Sequence, residues 1–211
     1  MLVNQTVKQF VDSVASDAPA PGGGSVSALA GALAAGLVAM VCNLTIGRPK
    51  FAEAEGELKQ LLDRSSTLQA ELLKLVDQDA ESFNQVMAAY RLPKEADEDK
   101  LKRSTAIQTA TKSAAAVPLK VAGNCFDLLK MIPVLTEKGN PNAITDIGVA
   151  ARMAEAGLQG AVYNVLINLG SLKDETFVAE AKALSDKYIT ESREIAAKTH
   201  PVSYTHLRAH E

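Results

Sequence analysis

The chain has 211 residues, of which 47% are hydrophobic and only 4% aromatic, and its formal net charge is −3. This length predicts one domain with a substantial core, and a core made of Ala, Leu and Val suits closely packed helices, so we expect an all-α fold. The slightly acidic balance argues against a general nucleic-acid partner, which needs a basic surface. Two cysteines and no basic-then-apolar leader predict a cytoplasmic protein.

A short amphipathic helix is predicted near the N-terminus. Val7, Phe10, Val11 and Val14 recur at the spacing of one helix face, and Asn4 or Thr6 can cap the start. The loop that follows contains two prolines and ends in three glycines, which gives a rigid approach and then a free turn into the next helix.

Residues 22–46 are expected to form the element around which the fold is organised, because they contain no charged side chain. We predict a helix that is capped by Ser25 and ends near Thr45. Small residues recur at every fourth position on two of its sides, so neighbouring helices can approach closely. The result would be a helical bundle around a buried Ala/Gly-rich central helix. A membrane span is the alternative, which we disfavour because the stretch is poor in Leu, Ile and Phe and lacks an aromatic belt.

A pair of positive charges, Arg48 and Lys50, follows the central helix, and a long helix is then predicted over residues 53–90. Asp79 interrupts the apolar seam of this helix, whereas Asp77 is about 200° away around the axis and is expected in solvent. A buried carboxylate is costly unless it is paired. Either a structural partner satisfies Asp79 or it belongs to a functional pocket, and we favour the pocket because such groups cluster at functional sites.

Long antiparallel helices are predicted for the rest of the chain. Two are expected at residues 97–117 and 118–137, because Pro118 is acceptable as the first residue of a helix. The following segment opens with Asn140, Asn142 and Asp146, and its helix carries small residues that suit the small face of the central helix.

Three polar residues, Asp146, Asn164 and Asn168, fall on the small-residue side of this later helix. Asp146 and Asn164 are separated by about 27 Å along a continuous helix, so one subunit cannot use both at one reacting centre. They mark either the two ends of a groove or a subunit seam. The small faces around Gly31 and Gly157 are predicted to form a dimer seam.

A cover helix is predicted from Asp174 to about Lys198, which would complete a single domain at residues 1–198. Residues 199–211 lose the helical period and are interpreted as a non-native or disordered tail. All three histidines lie at position 200 or beyond. We therefore expect neither a His-ligated metal nor a histidine general base in the domain.

Four segments together resemble the cyclodeaminase/cyclohydrolase family. They are PAPGGGSVSALAGALAAGLVAMVCNLT, GRPKF, DQDAESFNQVMAAYRLPK and GNPNAITDIGVAARMAEAGLQGAVYNVLIN. The family comprises formimidoyltetrahydrofolate cyclodeaminase, also found as a domain of the bifunctional formiminotransferase-cyclodeaminase, and a bacterial methenyltetrahydrofolate cyclohydrolase. The resemblance covers residues 1 to about 198. It implies an all-helical homodimer that acts on a tetrahydrofolate derivative, with no metal or redox cofactor and no membrane or nucleic-acid partner.

The resemblance also assigns site residues. Glycines 22–24 (Gly22, Gly23, Gly24) and Ser25 would form a pocket wall, Arg48 and Lys50 would contact anions, and Asn142 would bind substrate. Asp79 and Asp146 would be the catalytic candidates. The segment Arg-Pro-Lys-Phe departs from a more lysine-rich run followed by Tyr, but it keeps the basic character.

The assignment agrees with the chemistry of folates. A buried carboxylate stabilises a cationic ring, a groove of small residues can admit a flat pterin, and glutamate carboxylates pair with Arg or Lys. The first hypothesis is the cyclodeaminase, which converts formimidoyltetrahydrofolate into methenyltetrahydrofolate and ammonia. The alternative is the cyclohydrolase, which converts methenyltetrahydrofolate and water into 10-formyltetrahydrofolate. A hypothesis of another class is a non-catalytic helical folate-binding or assembly module.

Overall fold

The computed structural model describes residues 1–208, with side chains described through residue 197. This part of the chain forms six α-helices and no strand, which confirms the all-α prediction. The helices are α1 (Val7–Val14), α2 (Gly23–Thr45), α3 (Glu55–Tyr90), α4 (Asp97–Lys138), α5 (Ile144–Leu169) and α6 (Glu175–Arg208). Short 3-10 segments at Leu2–Asn4, Pro49–Ala54 and Pro141–Ala143 precede α1, α3 and α5.

Helix α2 is the centre of the bundle, as predicted. It packs against α3 and α5, which lie on opposite sides of it, and it also contacts α4. Helix α5 runs antiparallel to α2, because Gly157 faces Ser27 near the start of α2 while Asn140, just before α5, donates to the carbonyl of Leu44 near its end. The first turn of α2 and the last turns of α5 therefore lie at the same end of the molecule.

Small residues allow the close contact between α2 and α5. A Cβ atom on Gly157 would lie 2.9 Å from the carbonyl oxygen of Ser27, and one on Gly31 would lie 2.6 Å from Sγ of Cys125 in α4. The predicted pairing of the two small faces is confirmed. The prediction that Gly31 and Gly157 form a dimer seam is wrong, because both glycines are buried inside one chain by α2, α4 and α5.

Helix α2 is the one helix in the described residues whose length and composition would allow it to cross a membrane, and 56% of that stretch is buried inside the chain. Core helices share these properties. One side of α2 nevertheless remains exposed and apolar, with Leu33 at its middle. The expectation of an interior helix thus holds for three sides of α2 and fails for the fourth within a single subunit.

The prediction of two helices at residues 97–117 and 118–137 is wrong. Helix α4 is one continuous helix that contains both Pro118 and Pro133. Proline removes a backbone donor and normally breaks a helix. Buried residues lie on both sides of Pro118, from Thr111 to Leu135, and pack both halves of α4 against the same core. This tertiary packing outweighs the local cost of proline.

Helices α1 and α6 are the first and last α-helices of the described residues. At the N-terminus, Thr6 caps α1 through a reciprocal capping box with Gln9, which confirms one of the two predicted caps. Helix α6 continues to Arg208, beyond the end predicted near Lys198. The side chains of residues 198–211 and the backbone of residues 209–211 lie outside the described part, so the interpretation of residues 199–211 as a non-native tail stays a prediction.

Both cysteines are free and buried. Burial raises the pKa of Cys42 to about 11 and that of Cys125 to about 12. A thiol that stays protonated is a poor nucleophile. Cys42 therefore serves as a small buried hydrophobic residue.

Candidate functional site

A cavity of ≈ 270 Å³ lies over the first turn of α2. Helix α3 forms one wall, the end of α5 forms the opposite wall, and the loop before α2 covers the top. The lining residues are Pro19, Ala20, Gly22, Gly23, Gly24, Asp79, Ser82, Phe83, Val86, Ala114, Asn164 and Asn168. The three glycines predicted to form a pocket wall are thus found in one cavity with Asp79.

Asp79 is the acid of this cavity and is half-buried. The hydroxyl of Ser25 lies 2.9 Å from Oδ2 of Asp79 and 3.0 Å from the carbonyl oxygen of Val76. Burial raises the pKa of Asp79, while hydrogen bonds from the hydroxyl and backbone N–H of Ser25 act in the opposite direction. The structure therefore gives Asp79 a structural partner and also a place in a cavity, which sequence reasoning had treated as alternatives.

Ser25 does not cap α2, contrary to the sequence-based prediction. The N-cap is Gly22, and Ser25 lies within the first turn with its side chain directed at α3. The physical reason is that Asp79 accepts from the backbone N–H of Ser25 and so satisfies one of the free donors at the helix start. A carboxylate from a neighbouring helix replaces the local serine cap.

Gly24 brings α2 and Asp79 together. A Cβ atom at this position would lie 2.1 Å from Oδ1 of Asp79 and 2.5 Å from its Cγ, a distance that no packed side chain tolerates. Gly23 is less constrained, with the amide nitrogen of Asn164 at 3.3 Å from the corresponding position. The absence of a side chain at residue 24 is therefore required for this arrangement of the acid.

The prediction that Asp77 lies in solvent is wrong. Asp77 is buried, with 9% of its surface exposed. The backbone N–H of Leu2 donates to its Oδ1, and its Oδ2 has no partner among the described residues. The N-terminal segment Leu2–Asn4 packs over this side of α3. A helical-wheel argument within α3 contains no information about that segment, which is why the prediction failed.

Asn164 and Asn168 line the cavity opposite Asp79, and the sequence reasoning did not include them among the site residues. They lie one turn apart on α5 and follow the small residues that pack on α2. The sequence did place both on the same side of α5 as Gly157 and Gly160. That signal could have identified them, because the small-residue side of α5 faces the glycine-rich start of α2.

The other predicted site residues form a separate group at the opposite end of α2. Arg48 and Lys50 follow its last turn and are exposed. Asn142 lies in the 3-10 segment just before α5, and Asp146 lies in the first turn of α5. Helix α2 has 23 residues, which at about 1.5 Å each separates the two groups by roughly 33 Å. One subunit therefore does not bring Asp79 together with Asp146, Arg48 or Lys50.

A larger cleft of ≈ 700 Å³ lies between α3, α4 and α6. Its acids are already engaged: Asp127 forms ion pairs with Arg64 and Lys130, and Glu71 accepts from Asn124. Burial acts to raise the pKa of Asp127, but its bonds with Lys130 and Arg64 hold that pKa below its ordinary value. The smaller cavity, which holds an acid with a raised pKa beside a helix N-terminus, is the stronger candidate for chemistry.

The chain is thus an all-helical bundle in which a half-buried acid of α3 lies against the first turn of a glycine-rich central helix. The crystal structure of formiminotetrahydrofolate cyclodeaminase from Thermotoga maritima is similar to it, with a TM-score of 0.81, 30% sequence identity and coverage of 99% of this chain and 98% of that one. The chain also matches the family described as formiminotransferase-cyclodeaminase over residues 6–187. It belongs to that family, and the resemblance predicted from its sequence motifs is confirmed.

Two curated relatives carry different names. The methenyltetrahydrofolate cyclohydrolase of Methylorubrum extorquens is 46% identical over 180 residues, which cover 85% of this chain and 86% of the relative. The formimidoyltransferase-cyclodeaminase of Rattus norvegicus is 35% identical over 196 residues, which cover 93% of this chain but only 36% of the relative. The similarity to the rat protein thus concerns about a third of its length.

Proposed function

We propose that the chain is a folate one-carbon enzyme that acts on the carbon held by N5 and N10 of tetrahydrofolate. The observation that carries the proposal is Asp79, an acid with a raised pKa in a small cavity at the start of α2. A carboxylate in this position can accept a proton near neutral pH and can stabilise a cationic ring. Membership of the family supports a folate as the substrate.

The primary assignment is the cyclodeaminase reaction. N10 attacks the formimidoyl carbon on N5, and the N10 proton passes to Asp79. The former formimidoyl nitrogen then gains two protons, one returned by Asp79 and one from solvent, and leaves as ammonia. The product is the methenyl cation with its carbon bonded to both nitrogens. Asp79 would act first as a base and then as the counter-charge of this cation. The reaction changes no oxidation state, so we infer that no redox cofactor is required.

The cyclohydrolase reaction is the alternative, and the similarity to the Methylorubrum relative over most of both chains favours it. Here Asp79 would deprotonate a water that attacks the methenyl carbon. The bond from that carbon to N5 would then break as N5 takes up the hydroxyl proton and the formyl C=O forms on N10. Both reactions need one proton acceptor and one group that stabilises a cation. A shared site for the two is therefore chemically reasonable.

The near-ultraviolet absorbance of methenyltetrahydrofolate tests the proposal and separates the two reactions. Formation of the absorbing species from formimidoyltetrahydrofolate, with release of ammonia, would identify a cyclodeaminase. Enzyme-dependent loss of the absorbance at neutral pH would identify a cyclohydrolase. Purified protein that does neither at high enzyme concentration would leave only the folate-binding or assembly hypothesis, which a direct titration with folinic acid then examines.

We further propose that the protein is a homodimer in which the exposed side of α2 packs against its copy. Val26, Leu33 and Met40 are 41%, 52% and 36% exposed and follow each other at intervals of seven residues, so they lie on one face. Leu33 is next to the midpoint of Gly23–Thr45. A two-fold axis at Leu33 would pair Val26 of each copy with Met40 of the other. Burial of this apolar row would complete the interior role expected for α2.

Antiparallel pairing of α2 would also bring the two groups of predicted site residues together. The start of α2 in one copy would lie beside the end of α2 in the other, so Arg48 and Lys50 of a second copy would approach the cavity that holds Asp79. The 33 Å separation within one subunit would then be no obstacle, and the basic pair could contact the glutamate of a folate.

Mixing two defective variants tests this shared site. Asp79→Asn removes the acid, and the double change Arg48→Gln with Lys50→Gln removes the basic pair. If the site is shared, each mixed dimer contains one intact site, so random mixing by refolding should restore about a quarter of wild-type activity at low substrate. No gain over the separate variants would place each site within one subunit.

A further inference from the structure

The α5 wall of the cavity presents hydrogen-bond acceptors in fixed positions. The amide nitrogen of Asn168 donates to the carbonyl oxygens of Asn164 at 2.8 Å and of Ala114 at 3.1 Å. The amide nitrogen of Asn164 donates to the carbonyl oxygen of Gly160 at 2.8 Å. Backbone carbonyls only accept, so in each asparagine the NH₂ group must face the helix and the orientation of the amide is determined by chemistry.

This orientation decides what each asparagine offers to a ligand. Both donors of Asn168 are used within the protein, which leaves Oδ1 as its only open group. Oδ1 of Asn164 likewise accepts no hydrogen bond from a described residue, and one of its N–H donors remains. With Asp79 on the opposite wall, the polar side chains that face the cavity from α3 and α5 offer mainly acceptors, and they suit a ligand edge that carries several N–H donors.

We propose that Asn164 and Asn168 determine specificity for a tetrahydropterin by accepting hydrogen bonds from its 2-amino group and N8–H. The inference rests on the proposed function and adds to it the orientation of the ring. The 2-amino group and N8–H flank N1 on one edge of a tetrahydropterin. Two asparagines one helical turn apart, with Cβ atoms separated by roughly 5–6 Å, can receive two neighbouring donors of this kind.

The same orientation of the ring directs N5, one of the two nitrogens that hold the transferred carbon, toward Asp79. N5 lies on the edge of the ring opposite N8, so a ring held by α5 through the N8 edge directs N5 across the cavity to the α3 wall, where Asp79 lies. A fully oxidised pterin has a lone pair instead of a hydrogen on N8. The acceptor wall would repel that lone pair, so the site should discriminate between reduced and oxidised folates.

Titration with folinic acid, which is reduced, and folic acid, which is oxidised, tests the inference. The variants are Asn168→Leu and Asn164→Leu, and the second loses only one internal hydrogen bond and so protects the test against a folding defect. Asn124→Leu is the matched control, because Asn124 is also a helical asparagine with one side-chain bond but lies in the other cleft. Circular dichroism establishes that each variant is folded.

We expect wild-type protein to bind folinic acid more tightly than folic acid. Loss of one acceptor should weaken folinic acid binding about tenfold and leave folic acid binding within about threefold, whereas the control keeps both affinities. A folded Asn164→Leu variant with the wild-type ratio of affinities overturns the inference while leaving the proposed function intact. Wild-type protein that binds neither folate overturns both.

Discussion

Asp79 combines burial with a favourable partner, and the Asn substitution separates its charge from its shape. We expect Asp79→Asn to fold and to lower kcat by roughly 10²-fold, the effect typical of a positioned acid-base group. Steady-state kinetics of methenyltetrahydrofolate formation or loss provide the measurement. A folded variant with full activity would show that Asp79 is only a structural residue, and Asp146 would become the next candidate.

The same variant should report on stability. Burial raises the pKa of Asp79 in the folded state above its unfolded value, so its contribution to stability is fully present below the unfolded pKa and is lost as pH rises through the folded pKa. At neutral pH the wild-type protein bears the free-energy cost of keeping an ionised carboxylate partly buried, and Asp79→Asn does not. We therefore expect the variant to melt at the same or a higher temperature at about pH 7, as measured by thermal denaturation across pH.

Gly24 should tolerate no side chain. In Gly24→Ala the new methyl group meets the carboxylate of Asp79 at 2.1 Å, so either α2 or Asp79 must move. We expect activity to fall by at least tenfold, because small displacements of a catalytic group are costly. Gly56→Ala is the control, since a Cβ atom there meets nothing within 4 Å. Equal activity of both variants would contradict the observed contact.

At the scale of single residues, the sequence predicted the position of the acid Asp79 but not the contacts of the residues around it. The apolar seam of α3 was sufficient to single out Asp79, because periodicity reports on burial. The direction of Ser25 and the burial of Asp77 depended on residues from other parts of the chain. Likewise, the acceptor role of Asn168 arises from the carbonyl of Ala114, which is 54 residues away. Interactions of this kind are absent from a local pattern.

Among the elements, the contact of α2 with α4 and α5 leaves little free space around Gly31. We expect Gly31→Ala to destabilise the fold, because its Cβ atom would lie 2.6 Å from Sγ of Cys125. Cys125→Ala creates room at the same point, so the double variant should be more stable than the sum of the single changes predicts. Chemical denaturation of the four proteins gives the coupling energy. Additive effects would mean that the two side chains do not compete for space.

The elements themselves were largely predictable. Helical spacing of apolar residues and the capping chemistry of Thr6 located α1, and the uncharged stretch located α2. The rule that proline breaks a helix gave the wrong boundary in α4. The lost backbone hydrogen bond suggested a break at Pro118, but buried residues on both sides of Pro118 preserve the helix. Boundary rules describe the isolated chain, and a helix held along its length by a core can violate them.

At the scale of the whole molecule, the exposed row on α2 determines the expected assembly. Leu33→Glu would place a charge at the proposed two-fold axis beside the same charge of the second copy. We expect this variant to be a folded monomer in light scattering, with reduced activity if the site is shared. Leu101→Glu is the matched control, because Leu101 is 70% exposed on α4, away from the row. A dimeric Leu33→Glu protein would contradict the proposed interface.

The hydroxyl of Ser25 lies near two acceptors but carries one hydrogen. When Asp79 is ionised, that hydrogen can satisfy either the carboxylate or the carbonyl of Val76, and one of them is left without it. When Asp79 is protonated, it can donate to Ser25, which then donates to Val76, and every acceptor is served. Rotation of a single O–H bond therefore accommodates both forms of the acid. The site can gain or lose a proton while its heavy atoms stay in place, which keeps the reorganisation energy of proton transfer small.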